Sequence, residues 1–217
     1  MRLLNKLTVG IALVVGGCAS YSDNATAGNM SHAHMGHVMK SWGDTPDKKG
    51  LLPTARAEAK IAAQHAGFAA KKPDDLGWMQ KHARHVLNAI DPSVEAKGPG
   101  LGYGVIKAAD GTTKHIGFAA KSEDASENVR IHAVHVSASS QNTVNRAQEI
   151  ISLGKQVIAA GTAADAAPLV KQMAMLSAQL LTGVDANGDG SISWHEGEGG
   201  LDAAQKHMGI MAKLEDM

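Results

Sequence analysis

The stretch HAGFAAKKPDDLGWMQKHARHV, His65 to Val86, returns fifty residues later as HIGFAAKSEDASENVRIHAVHV, His115 to Val136. His, Gly, Phe, Ala, Ala, Lys, Asp, His, Ala, His and Val keep their places with no gap. A copied unit of this length is one supersecondary element, and a unit that cannot cover its own apolar face must stack on a neighbour. Lys72-Pro73-Asp74-Asp75 breaks the first copy near its middle, so the unit reads as two helices and a turn. The fold expected is all-α: a helical bundle built from a duplicated helical hairpin. Composition agrees, because aromatics are only 3% of a chain that is 44% hydrophobic and rich in alanine. Such residues suit close-packed helices, whereas strands favour β-branched and aromatic side chains.

Periodicity and punctuation predict a first helix from Leu51 to about Lys71. A second runs from Leu76 to Ile90 behind an aspartate cap and ends before Pro92. A third ends at Lys121, with Asp110-Gly111 a point of interruption. A fourth starts near residues 122–125 and reaches about Ala160, with a kink around Ser137 to Ser140. One more spans about Ala164 to Leu181. The chain divides accordingly into 1–17, a leader; 18–50, a flexible tether; 51–162, the duplicated bundle; and 163–217, a C-terminal segment. The tether assignment rests on a Ser, Asn, Gly, Asp and His composition that promises little regular structure.

The turn of the first copy lies midway between His65 and His82, which places those two histidines face to face across an antiparallel hairpin. The same reasoning sets His115 opposite His132. His85 and His135 follow one turn later on the same helix faces. Six histidines, His65, His82, His85, His115, His132 and His135, are thereby brought to matched heights. Neutral imidazoles in threes suit zinc, copper or nickel. Two alternatives stand beside that one. A haem or redox carrier would use His65, His82, His115 and His132 as axial ligands, without covalent attachment because no Cys-x-x-Cys-His occurs. A structural or interaction protein would simply have them bonded to each other or to backbone.

No Glu-x-x-His pair, Ser-His-Asp arrangement, nucleophile elbow or phosphate loop appears, so the sequence makes no case for an enzyme. A formal net charge of +0 leaves no electrostatic footprint for nucleic acid.

The segment DANGDGSISWHE resembles the EF-hand calcium loop at every diagnostic position, with a glycine, Gly190, at the sharp turn. The resemblance implies calcium held by Asp185, Asn187, Asp189, the Ser191 carbonyl, Ser193 and Glu196. It makes the C-terminal segment an EF-hand-like helix-loop-helix, although GEGG after Glu196 delays the exit helix to near Leu201. The N-terminus, MRLLNKLTVGIALVVGGCAS, sets Arg2 and Lys6 before a short apolar run and then resembles a bacterial lipobox. That resemblance implies lipidation at Cys18, a membrane anchor, and the periplasmic face of the outer membrane within the cell envelope. Two fainter signals are MSHAHMGHVM, Met30 to Met39, whose thioethers and imidazoles suit copper, and His207 with Met211 on the last helix.

Overall fold

The computed structural model describes residues 29–195 and 197–217; the leader, Cys18 and Glu196 lie outside the described residues. Seven α-helices and no strand make up the described chain: α1 (Met30–Met39), α2 (Leu51–Ala70), α3 (Leu76–Ile90), α4 (Val105–Lys121), α5 (Glu127–Ala159), α6 (Ala163–Thr182) and α7 (Leu201–Leu214). The chain is thus an all-α helical bundle.

Side chains at the helix starts accept the free amides that helix geometry leaves there. Asp75 accepts from the Trp78 amide at 2.9 Å, Ser126 from Val129 at 3.1 Å, Thr162 from Asp165 at 3.2 Å and Asn29 from His32 at 2.8 Å. Asp91, ahead of Pro92, is extended at φ −156° and ψ 105°, which ends α3.

The 33-residue α5 forms the spine, with α3, α4, α6 and α7 packed along it. α2 lies against α3, α4 and α6, and α1 lies against α4. The core is fully buried alanine with leucine, methionine, valine and isoleucine, including Met35, Leu52, Met79, Ile116, Ile150, Met173 and Met208. Among the described residues, no helix is long and apolar enough to cross a membrane.

Three sequence expectations give way. The stretch assigned to a tether carries α1, whose Met35 and Val38 are both 0% exposed. These two lie three residues apart and so form one apolar stripe, which the polar residues around them hide from a composition average. The Ser31 amide also donates to Asp124 at 3.2 Å, fixing α1 to the turn between α4 and α5. Asp110-Gly111 does not interrupt α4; a Cβ on Gly111 would sit 2.9 Å from Leu51 Cδ2, so the glycine admits α2 closely. Nor does α5 break at Ser137 to Ser140. Thr143 Oγ1 donates to the Ser139 carbonyl at 3.0 Å, a bond made inside the helix instead of across a break.

The glycine-rich segment before α4 is anchored by a residue the sequence reading passed over. Glu58, 0% exposed on α2, accepts from the amides of Leu101 at 3.0 Å, Tyr103 at 3.1 Å and Gly104 at 2.9 Å. A buried carboxylate is tolerable only when so bonded.

Candidate metal centres

Nine histidines gather in three separate triads: His65 with His82 and His85; His34 with His37 and His115; His132 with His135 and His207. The first is the expected one, formed within the α2–α3 hairpin. The other two correct the expected geometry. His115 does not face His132; it turns from α4 to the two histidines of α1, while His132 and His135 of α5 meet His207 of α7.

The three sites share one construction. A helix supplies two histidines three residues apart, and a neighbouring helix supplies a third whose Nδ1 is the hub. His65 Nδ1 lies 3.0 Å from His82 Nδ1 and 3.2 Å from His85 Nδ1. His115 Nδ1 lies 3.1 Å from His34 Nδ1 and 3.3 Å from His37 Nδ1. His207 Nδ1 lies 3.1 Å from His132 Nδ1 and 3.2 Å from His135 Nδ1.

Hydrogen bonding alone cannot satisfy such a hub. A neutral imidazole nitrogen is either a donor with one proton or an acceptor with one lone pair. Only one of the two short contacts is then a full hydrogen bond; the other either shares the same proton or lone pair or sets like against like. A cation at the convergence point satisfies every lone pair together. Ligand nitrogens about 2.0–2.1 Å from a tetrahedral metal stand about 3.3–3.4 Å apart, close to the hub spacings above. Each triad therefore has the donor set and spacing to hold one transition-metal ion, with a fourth position left over.

Electrostatics keep the lone pairs free. Burial lowers the pKa of His37, His65, His85, His115 and His135, with neighbouring charges adding to the effect except at His85, where Lys81 adds to it and Glu95 opposes it. His82 is pushed down to about 4, first by burial and then by His65 and His85. His207 likewise falls to about 4, by burial and then His135 and His132. Surface hollows reach one ligand of each triad: about 510 Å³ beside His85, about 430 Å³ beside His207 and about 230 Å³ beside His115.

The sequence does hold the signal that the two-copy reading missed. His-x-x-His-Val occurs at residues 34–38, 82–86 and 132–136, and each hub histidine opens a His-x-Gly, at 65–67, 115–117 and 207–209, a pattern that also occurs at 34–36 and 195–197. Histidine pairs and hub histidines alternate along the chain, so the site is threefold where the longer repeat shows only two copies. The Met30 to Met39 segment and His207 are thus full members of triads, and Met211 is fully buried in the core.

In the loop from Asp185, side-chain oxygens accept hydrogen bonds from neighbouring groups of the same loop. Asp185 Oδ1 accepts from the Gly188 amide at 2.7 Å, and its Oδ2 from Gly190 at 2.9 Å. Asn187 Oδ1 accepts from Asp189 N at 2.8 Å. Asp189 accepts from the Ser191 amide and hydroxyl, and these bonds hold its carboxyl below the usual range. Ser193 donates its hydroxyl to Glu198 at 2.6 Å, and Glu198 is 1% exposed. No helix follows directly; α7 starts at Leu201, and α5 holds the stretch between through Asn142 and Arg146. Comparison with protein-family models, curated proteins and solved structures finds no match to this chain.

Proposed function

We propose that the protein is a non-catalytic metal-binding lipoprotein of the bacterial cell envelope that carries three transition-metal ions, one per histidine triad, and one calcium ion in the Asp185 loop. The convergence of three Nδ1 atoms at each of three separate places carries this reading. A histidine on a core face usually finds one partner and stops there. Three triads of the same build, each spanning two helices, are poorly explained by packing.

The calcium assignment draws on the EF-hand-like spacing of Asp185, Asn187, Asp189, Gly190 and Glu196. Calcium there would neutralise carboxylates that otherwise repel and would hold the approach to α7. The envelope assignment draws on the lipobox-like residues before Cys18.

The test is elemental analysis of protein purified without chelator or affinity tag, beside His65→Ala, His115→Ala and His207→Ala variants. The expected result is three transition-metal equivalents in the parent and two in each variant. Retention of all three by the variants, or no transition metal in the parent, would overturn the reading.

A further inference from the structure

The chain contains three tryptophans and two phenylalanines, and every one of them lies against a triad histidine. Trp42 packs 4.4 Å from His115 and 4.8 Å from His37 between ring centroids. Trp78 packs 4.4 Å from His82, and Trp194 stacks on His135 at 4.3 Å with the rings 20° from parallel. Phe68 stands 5.3 Å from His65, and Phe118 stands 5.3 Å from His34. The core elsewhere is built from aliphatic residues and methionine with one further aromatic ring, that of Tyr103.

The tryptophans reach their triads by different routes. Trp78 is set by its own helix, with Nε1 donating to the Phe68 carbonyl at 2.6 Å. Trp42 comes from the turn after α1, where its amide donates to Lys49 O at 3.2 Å. Trp194 comes from the loop before α7, which Asn142 ties to α5 through the His195 carbonyl at 2.8 Å. Three unlike backbone settings delivering the same side chain to the same kind of site point to the ion and not to local packing.

Among the described residues, no carboxylate belongs to any triad. An ion held there keeps its full charge, and its Born desolvation cost rises as the square of that charge, about fourfold from a monovalent to a divalent cation. Zinc and cupric ions normally offset this with an anionic or water ligand in the fourth position. An aromatic ring beside the site offers instead a polarisable face that attracts a cation without supplying a charge. We propose that the triads are selective for monovalent copper, each cuprous ion bound by three imidazoles and faced by one tryptophan. This rests on the metal-binding reading above and adds to it the identity and charge of the ion.

The test is a titration of the untagged protein under anaerobic, reducing conditions with a chromophoric cuprous chelator as competitor, and a parallel zinc titration. Trp78→Leu and Trp194→Leu, checked for native helicity, are carried through both. The expected result is three cuprous equivalents, stepwise quenching of tryptophan emission, and no displacement by a tenfold excess of zinc. Each variant should weaken one cuprous site by about five- to thirtyfold, the size of a partly desolvated cation–π contact, and leave zinc affinity nearly unchanged. Zinc prevailing over copper, or equal weakening of both ions by the variants, would overturn cuprous selectivity and leave the triads as metal sites. Binding of neither ion would overturn the triads themselves.

Discussion

At the scale of single residues, the histidines tie stability to pH with a definite sign. An unfolded histidine titrates near 6.5, whereas His82 and His207 hold off protonation in the fold until about pH 4. Between those values the unfolded chain binds protons that the folded chain refuses, so stability is complete above pH 6.5 and declines as pH falls toward 4. Carboxylates with lowered values, such as Glu215 held down by Asn128 and Ser126, act only at lower pH. Urea unfolding of the metal-free protein should therefore show a falling midpoint from pH 7 to pH 5. A His82→Asn variant should flatten that slope; a midpoint that stays level or rises toward pH 5 in the parent would contradict the assignment.

At the scale of helices, the glycines of the His-x-Gly half-motif stand out. A Cβ added to Gly117 of α4 or Gly209 of α7 meets nothing within 4 Å, so neither glycine is needed for close packing. Glycine inside a helix costs about 1 kcal/mol relative to alanine. Gly117→Ala and Gly209→Ala should each raise the melting temperature, by about 2–4 °C for a chain of this size, with three metal equivalents retained. A lower melting temperature would mean that the glycines relieve a contact the static packing does not reveal. Helices α2 and α3 were readable from sequence to within a residue, and so was the His65, His82 and His85 site. Both halves of that site and their turn are consecutive in the chain, so spacing alone places them. The second copy repeats the local pattern, yet spacing says nothing about which distant helix will cover a histidine. His115 and His132 take partners from α1 and α7, the first a segment whose polar composition reads as a tether and the second one that offers only the faint signal of His207 with Met211. The buried Glu58 was equally illegible, because a lone glutamate amid alanines reads as a solvated residue until the loop it anchors is in place.

At the scale of the molecule, two of the three triads join segments far apart in the chain. His115 binds the α4 end of a site whose other half is α1, and His207 of α7 closes onto α5. α1 has only 10 residues; besides its triad histidines it is held by Met35 and Val38 in the core, by the Ser31 amide on Asp124 and by His32 Nε2 at 3.2 Å from Glu215. A short helix fastened by so few contacts opens at lower free energy than the spine. Metal that binds only the closed arrangement stabilises it by RT ln(1 + [L]/Kd), about 2.7 kcal/mol at a free concentration one hundred times Kd. Hydrogen exchange should then show the amides of α1 and α7 slowed by metal, and those in the middle of α5 little changed. In His115→Ala, metal should still protect α7 but no longer α1. Since the triads share no ligand, protection lost from both helices together would mean that metal acts on the bundle as a whole, and protection unchanged in the variant would remove His115 from the site.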